Sequence, residues 1–253
     1  MQSAVRGLRA AVVAPVIAVL GLALAAGSAW GYGYTNVNAP PVGEASHQEI
    51  LTDIYGGTWS ADGVDFTNGV ITAKRVYDFD GSDEIIHVVM GDETNVDQVW
   101  SDGAIYVTAE AKYAEFNQSF GWNGGGSGTT YYPLLTEADV GGPAKEINIS
   151  GDFLWGIQPT PGHSWYGYTW WSKQSLNESP YFGKDHMVTY LVEGLADVEG
   201  TVWLLFWEDY PCGGDEDFND FVVQVTAIPE PSTALLLGAG LVAFGLRRRR
   251  ALR

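Results

Sequence analysis

The sequence predicts an all-β protein, an antiparallel β-sandwich of jelly-roll-like form with at most one short helix. Three observations lead to this class. Helical periodicity of apolar residues is almost absent, at least seven segments are rich in β-branched and aromatic residues, and clusters of Gly, Asn, Asp and Pro separate them. Strands that follow one another with so few helices favour packed antiparallel sheets.

The one predicted helix lies between Gly43 and Gly57, where apolar residues recur at helical spacing. Ser46 is a suitable N-cap and Glu49 stands at the third helical position, so the two can form a capping box. The predicted strands follow the helix along the chain. They cover residues 69–79, 84–91, 104–116, 146–157, 186–194, 200–209 and 219–227.

Residues 1–29 have the layout of a secretory signal peptide. Arg6 and Arg9 form a short basic region, an apolar run follows, and small residues end it near Ala29. A retained membrane anchor is the alternative, but cleavage is favoured because the small residues follow the apolar run at once. The signal predicts export and leaves residues 30–228 as a single ectodomain.

Residues 229–253 predict a short transmembrane helix with a basic tail. As a helix, the uncharged residues 232–246 would span roughly 22 Å, less than the ~30 Å hydrocarbon core, and snorkelling of the flanking arginines can close the gap. A buried core helix is the alternative, but the arginines that follow argue against it and place the tail in the cytoplasm. They are Arg247, Arg248, Arg249 and Arg250.

Pro229, Glu230 and Pro231, followed by the short apolar segment and the arginine cluster, resemble the PEP-CTERM sorting signal. Such signals occur on exported proteins of Gram-negative bacteria. The resemblance implies recognition by an exosortase, removal of the tail, and delivery to the cell surface or an extracellular matrix after transient anchoring in the inner membrane. It concerns where the protein goes and leaves the role of the ectodomain open.

The charge of the ectodomain restricts its partners. The whole chain carries a net charge of -18. Setting aside the seven basic residues and Glu230 of the two end segments leaves six basic residues against 30 acidic ones, a net charge of −24. Such a surface repels nucleic acid and anionic lipid headgroups and favours divalent cations. The single cysteine, Cys212, excludes an intramolecular disulfide.

The most acidic stretch is residues 207–225, which read WEDYPCGGDEDFNDFVVQV. GGDED resembles the GGDEF signature of enzymes that make cyclic di-GMP. That chemistry needs cytoplasmic nucleotide and an α/β domain, whereas this segment is predicted to be exported and all-β. Residue 217 is also Asp where the signature has Phe. We therefore interpret the stretch as an acidic hairpin loop between two strands.

The spacing of the acidic residues in this loop predicts a calcium site. Asp215, Asp217 and Asn219 form D-x-D-x-N, which wraps oxygen ligands around one cation, and Ca²⁺ takes six to eight oxygens. The pattern is not an EF-hand, because its sixth and twelfth positions lack the required Gly and Glu. The remaining predicted ligands are Glu208, Asp209 and Asp220.

Two alternatives stay open for the acidic loop. It can be a solvated loop without a cation, in which the carboxylates repel one another. Asn219 shares the parity of Phe221 and Val223 in the second strand, so it can point inward and pin the loop by hydrogen bonds to backbone groups.

The same stretch resembles the closing motif of a bacterial extracellular domain family of unknown function. In that motif an aromatic-Glu-Asp precedes a Gly- and Asp-rich turn and D-x-D-(F/Y)-N-D, which match residues from Trp207 to Asp220 here. Asp185 and His186 match an Asp-His that the family carries upstream. The resemblance implies a Ca²⁺-binding β-sandwich of secreted or surface proteins, and it implies no enzyme activity.

Two further stretches are candidate sites. Acidic residues surround a turn at Gly81 and predict a second cation site, although Asp-Gly turns between strands are common without one. They are Asp78, Asp80 and Asp83. Residues 164–171 are predicted as an aromatic strand whose exposed face would offer a platform for sugar rings, with packing in the core as the alternative. Its rings are Trp165, Tyr166, Tyr168, Trp170 and Trp171.

These patterns favour a non-catalytic, Ca²⁺-stabilised protein of the cell surface or matrix. A glycan-binding module of an exopolysaccharide matrix is the alternative. A polysaccharide-acting enzyme is a third reading, which requires two carboxylates about 5–10 Å apart in a cleft. The sequence contains no G-x-S-x-G or H-E-x-x-H, and its histidines show no metal-ligand spacing.

Overall fold

The structure is a computed structural model that describes residues 33–78, 87–88, 97–114, 116–125, 130–177, 184–198, 200–211 and 214–228. The described residues form one α-helix and twelve strands. The strands are β1 (Ser60–Asp62), β2 (Asp65–Thr67), β3 (Thr72–Arg75), β4 (His87–Val88), β5 (Val99–Lys112), β6 (Gln118–Gly124), β7 (Tyr132–Thr136), β8 (Lys145–Pro159), β9 (Trp170–Trp171), β10 (Met187–Glu193), β11 (Thr201–Trp207) and β12 (Phe221–Ile228).

The helix, α1, runs from His47 to Tyr55 inside the predicted interval. Its capping box is formed as predicted. The backbone N–H of Glu49 donates to Oγ of Ser46 at 3.3 Å, and Oε2 of Glu49 accepts from the backbone N–H of Ser46 at 2.8 Å. These bonds satisfy two of the N–H groups that a helix leaves open at its start, so the cap fixes where α1 begins.

The strands form one continuous sheet in the order β1-β2-β3-β10-β11-β12-β5-β8-β6-β7, with β4 and β9 attached to β5 and β8. In the described residues every pairing is antiparallel except that of β4 with β5. The first half of β8 pairs with β5 and its second half with β6. This change of partner lets the sheet bend.

The first hydrophobic core lies between the two halves of the bent sheet. Phe120 of β6 stacks on Trp155 of β8, with ring centroids 4.9 Å apart, and meets Trp207 of β11 at 6.1 Å. Trp100 of β5 meets Trp203 of β11 edge-on at 5.3 Å. The contacts of Phe120 with Trp207 and of Trp100 with Trp203 join strands that are not neighbours in the sheet. The sheet therefore folds over itself into two packed layers, and the predicted antiparallel sandwich is confirmed.

A second core lies on the opposite face of β10 and β11. Ile50 and Leu51 of α1 pack there with Tyr190, Leu204 and Phe206. The central strands are thus buried on both faces, which is why their sequences read as continuous apolar runs rather than as an alternation. Each fully buried Leu or Phe contributes about 1.5–3 kcal/mol to folding.

The two predicted end segments, residues 1–29 and 229–253, lie outside the described residues. The helix predicted for residues 232–246 belongs to the second of them. In the part of the chain that the structure describes, no helix has the length and apolar character needed to cross a membrane.

Candidate cation sites and the surfaces around them

The acidic loop, residues 208–220, connects β11 to β12 as predicted. The last pair of the ladder, Trp207 with Phe221, closes the loop at its base, and both rings are fully buried. Residues 212 and 213 of the loop lie outside the described residues. The core thus fixes the two ends of the loop independently of anything bound to it.

Glu208, Asp209 and Asp220 form the first carboxylate cluster. Each offers an oxygen atom, and these oxygens lie within 4.8 Å of one another. The backbone N–H of Asp209 donates to Oδ2 of Asp220 at 2.8 Å, and Glu208 accepts from the N–H groups of Tyr210 and Glu216, both at 3.2 Å. Glu208 and Asp209 are only 2% and 4% exposed, so the cluster lies beneath the surface of the loop.

The first cluster gathers negative charge away from water. Burial, and after it the charge of Asp220, raise the pKa of Glu208 to about 11. Burial likewise raises the pKa of Asp220. Among the described residues, no Lys or Arg forms a salt bridge with either group. At neutral pH Glu208 therefore keeps its proton unless a cation takes the place of that proton.

Glu44, Asp215 and Asp217 form the second carboxylate cluster, again with oxygens within 4.8 Å of one another. Asp217 is 2% exposed, and its Oδ1 accepts from the N–H of Asn219 at 3.2 Å. Its Oδ2 is buried and has no hydrogen-bond partner in the described part of the chain. Burial, with a smaller contribution from repulsion by Asp215, raises the pKa of Asp217 to about 7.

Two residues in the left-handed backbone region fold this part of the loop. They are Glu216, with φ 61°, and Phe218, with φ 56°. Residues with a Cβ seldom adopt this region, and each such residue costs about 1–3 kcal/mol unless the surroundings stabilise it. The side chain of Phe218 is fully buried in the second core. Core packing therefore holds the backbone that brings Asp215 and Asp217 together.

The N-terminal segment, residues 33–46, crosses the acidic loop and supplies Glu44. The backbone N–H of Asn38 donates to the carbonyl of Glu216 at 2.8 Å, and its side-chain amide donates to the carbonyl of Asp215 at 2.6 Å. The sequence did not indicate Glu44, because it is far from the loop along the chain and belongs to no motif. Only the fold brings it to the two aspartates.

Asn219 points inward, as its parity indicated. It is fully buried, and its Nδ2 donates to the carbonyl of Ala45 at 3.0 Å. The amide nitrogen therefore anchors the N-terminal segment. The structure divides the residues predicted as one calcium site into two clusters and adds Glu44 to one of them. Asn219 lies on the inner side of the loop, where its side chain contacts Ala45.

Asp185 and His186, the pair singled out upstream, lie beside the start of the loop. Nδ1 of His186 is 3.0 Å from the carbonyl oxygen of Glu208, and its ring stacks on Trp170 with centroids 4.6 Å apart. Burial lowers the pKa of His186 to about 4, so the ring is neutral and donates from Nδ1. The histidine thereby fixes the backbone from which Glu208 projects.

Asp78 of the second predicted cation site takes part in an ion pair. It is fully buried, and its Oδ2 lies 2.8 Å from Nη2 of Arg75. Asp80 and Asp83 lie outside the described residues. Thr35 joins Asp78 to the buried Asp185, since its backbone N–H donates to Oδ2 of Asp78 and its hydroxyl donates to Oδ2 of Asp185 at 2.7 Å. Burial raises the pKa of Asp185 and of the buried Asp97, and the charge of Asp78 adds to both rises. Asp78 thus belongs to an internal charge cluster around Arg75.

The aromatic strand predicted for residues 164–171 is wrong, since only Trp170 and Trp171 form a strand. Residues 161–167 form turns and a bend, and Gly167 has φ 96°. Trp170 and Trp171 are buried, at 2% and 5% exposure. Neither tryptophan can therefore contribute to a platform on the surface.

The other rings of that segment belong to an aromatic surface built from three loops. Tyr166 and Tyr168 are 54% and 44% exposed. Tyr210 of the acidic loop, 49% exposed, stacks on Phe116 at 5.9 Å, and Phe116 meets His163 at 3.9 Å. The sequence did not indicate that the loops carrying Phe116 and Tyr210 contribute to this surface. The aromatic surface comprises Phe116, His163, Trp165, Tyr166, Tyr168 and Tyr210.

Two family models match the chain, one in the region that resembles the sorting signal and one in the region that contains the closing motif. Residues 227–250 match the PEP-CTERM protein-sorting motif, a signal that indicates an exported protein. Residues 155–227, from β8 to the end of the acidic hairpin, match a domain of unknown function (DUF4114). The ectodomain therefore includes a domain whose role is not defined by its family.

Comparison with individual proteins adds little to this assignment. No curated protein matches the chain. Among solved structures, the chain is similar to the lectin CV2L of Chromobacterium violaceum, solved in complex with alpha-methyl-fucoside. The sequence identity is 14%, and the match covers 49% of this chain and 88% of the lectin. At a TM-score of 0.29 this likeness carries no argument about fold or ligand.

Proposed function

We propose that this exported protein is a non-catalytic component of the cell surface or extracellular matrix whose ectodomain is stabilised by Ca²⁺ in the acidic loop. The observation that carries the proposal is the buried carboxylate of Asp217, whose Oδ2 has no partner among the described residues. A buried carboxylate in this state is costly unless it is protonated or bound to a cation. Outside the cell, Ca²⁺ is an available cation that prefers such oxygens.

The chemistry of both carboxylate clusters fits a hard divalent ion. Glu44, Asp215 and Asp217 would hold one ion, and Glu208, Asp209 and Asp220 a second. Every side chain in the two groups offers only oxygen, the ligand type of Ca²⁺. A bound ion would supply charge compensation, so that Glu208 and Asp217 remain ionised at neutral pH in spite of their burial.

Ca²⁺ in the second cluster would also join distant parts of the chain. Glu44 precedes α1, whereas Asp215 and Asp217 lie between β11 and β12. An ion bound to all three would fasten the N-terminal segment to the acidic loop, in addition to the two bonds made by Asn38. The ion would bind the folded chain but not the unfolded one, and such a ligand raises stability by mass action.

The sorting motif gives the route to the surface. We propose that an exosortase recognises Pro229-Glu230-Pro231, that the apolar segment anchors the chain transiently in the inner membrane, and that removal of the tail releases the ectodomain to the envelope or matrix. The strong negative charge of the ectodomain suits an environment in which divalent cations and polysaccharide are plentiful.

Thermal unfolding tests the calcium proposal. The full chain, purified in mild detergent, is heated with 1 mM Ca²⁺, with 1 mM Mg²⁺, and with chelator, while tryptophan fluorescence is followed. We expect Ca²⁺ to raise the melting temperature by several degrees and Mg²⁺ to raise it less, because Mg²⁺ demands a stricter octahedral geometry. Equal melting temperatures with Ca²⁺ and with chelator would falsify the proposal.

Glycan binding is a second candidate function, favoured by the aromatic surface. Three exposed tyrosines on neighbouring loops are the side chains that stack on the apolar faces of sugar rings. Purified full chain is applied to an array of bacterial polysaccharides, together with the variants Tyr168→Ala and Tyr210→Ala. Tyr132→Ala is the matched control, since Tyr132 is equally exposed, at 48%, on edge strand β7.

The expected result is binding that both loop variants weaken and the control preserves. Two results would count against glycan binding by this surface: no polysaccharide retained by the wild type, or equal retention by the wild type and the two loop variants.

A further inference from the structure

The first carboxylate cluster is directly connected to the aromatic surface. Tyr210 of that surface follows Glu208 and Asp209 in the chain, and its backbone N–H donates to Oε1 of Glu208 at 3.2 Å. The side chain of Tyr210 is 49% exposed, whereas the two acidic residues are almost fully buried. Three consecutive residues therefore join the buried cluster to an exposed aromatic ring.

The loop that carries Tyr168 is bonded to the same cluster through Trp170. The indole Nε1 of Trp170 donates to the backbone carbonyl of Asp209 at 2.9 Å. The ring of Trp170 in turn stacks on that of Tyr168, with centroids 6.2 Å apart. The position of Asp209 therefore determines where this second loop lies.

The loop that carries Phe116 is bonded to the cluster on both sides of that residue. The backbone N–H groups of residues 113 and 114 donate to the carbonyl of Asp220 at 3.1 Å and 3.2 Å. After Phe116, Nε2 of Gln118 donates to Oδ2 of Asp209 at 3.1 Å. All three loops of the aromatic surface thus converge on the residues of the first cluster.

The side chain of Gln118 is an independent sign that this cluster binds an ion. Gln118 is only 1% exposed, and its Oε1 is buried without a hydrogen-bond partner among the described residues. The bond from its Nε2 to Asp209 places the amide at the carboxylates. A buried amide oxygen without a partner is costly, and amide oxygens are among the ligands of Ca²⁺.

We infer that a Ca²⁺ ion bound by Glu208, Asp209 and Asp220, with Oε1 of Gln118 as a fourth ligand, holds the three loops of the aromatic surface in one arrangement. The inference rests on the proposed calcium binding and gives the first ion a role in ligand binding. Without the ion, the charges of Asp209 and Asp220 repel each other away from bulk water, and the loops bonded to them separate. The aromatic surface therefore binds a ligand only while Ca²⁺ is bound.

Hydrogen exchange followed by mass spectrometry tests the inference without any glycan. The full chain in mild detergent is compared with 1 mM Ca²⁺ and with chelator. We expect Ca²⁺ to slow exchange about tenfold in residues 113–118, 163–170 and 208–211, since a site with a Kd near 10⁻⁴ M suppresses local opening by that factor. Residues 194–198 are the internal control, because they lie at the opposite end of β10 and β11 from the acidic loop.

Substitutions identify the ion that is responsible. Gln118→Leu removes the proposed ligand oxygen and should weaken one Ca²⁺ site at least tenfold in calorimetric titration and remove the protection of the three loops. Glu44→Gln, in the second cluster, should leave that protection intact. Gln224→Leu is the matched control, since the amide of Gln224 accepts from the hydroxyl of Tyr55 at 2.7 Å and belongs to neither cluster.

Two outcomes would overturn the inference. The first is a melting temperature raised by Ca²⁺ while the three loops exchange equally fast with Ca²⁺ and with chelator. The second is a Gln118→Leu variant that keeps both the ion and the protection. If Gln118→Leu does not fold, the exchange of the wild type still decides. An unchanged melting temperature with Ca²⁺ would instead refute the calcium proposal, and with it this inference.

Discussion

The substitution Asp217→Asn tests whether the buried side chain of Asp217 is protonated without metal and binds Ca²⁺ in its ionised form. In the wild type without metal, burial raises the pKa of Asp217 from 3.8 to about 7. The folded protein then holds a proton that the unfolded chain releases, so stability falls as pH rises from about 4 to about 7. Asn keeps the shape of the side chain and has no charge to bury, so this fall should be absent in the variant.

The raised pKa sets the scale of the effect. A rise of about three units corresponds to about 4 kcal/mol at most between pH 4 and pH 8. Binding of Ca²⁺ to the folded protein instead raises the free energy of unfolding. A site with a Kd near 10⁻⁴ M, in the range of extracellular modules, gains about 1.4 kcal/mol at 1 mM free ion, or about 3–6 °C in melting temperature for a domain of this size.

The assay is thermal unfolding of wild type and variant at pH 5 and pH 8, each with Ca²⁺ and with chelator. At pH 8 with chelator, Asp217→Asn should match or exceed the wild type, and with Ca²⁺ it should lose the part of the gain due to the second cluster. Asp62→Asn, on an exposed edge strand, is the control and should behave as wild type. A variant that keeps the whole calcium gain would refute the assignment of Asp217 as a ligand.

Two further substitutions address the loop. Glu208→Gln imitates the protonated side chain that its pKa of about 11 predicts, so it should leave metal-free stability nearly unchanged and remove one bound ion, counted by calorimetric titration with Ca²⁺; two ions in the variant would contradict this. Gly214→Ala should destabilise by about 1–3 kcal/mol in urea unfolding, because a Cβ would lie 2.1 Å from Oε1 of Glu208. Gly63→Ala, with a similar φ and open space, should cost less.

The sequence was informative where structure is set by near neighbours. Ser46 and Glu49 marked the start of α1, because a capping box is a contact across three residues. The hairpin around the acidic loop and the inward parity of Asn219 followed from the alternation of strands. These features depend on the local backbone, which the order of residues largely determines.

Contacts between residues that are distant along the chain could not be predicted in this way. Glu44 and Asp217 meet only because the N-terminal segment crosses the loop, and nothing in either neighbourhood indicates the other. The prediction of an aromatic strand for residues 164–171 was wrong for a different reason. Aromatic residues favour strands mainly because strands bury them, and here Gly167 turns the chain so that the tyrosines lie on the surface.

The position of β12 in the sheet has a mechanical consequence. β12 lies between β11 and β5 and pairs with both along its whole length, and it is the last described element before the sorting motif. A pull on the chain at Ile228 therefore acts along a central strand. Its ladder bonds run perpendicular to that pull and are strained together rather than one after another. As long as the chain is held from this end, the domain would resist a pull better than one tethered through an edge strand.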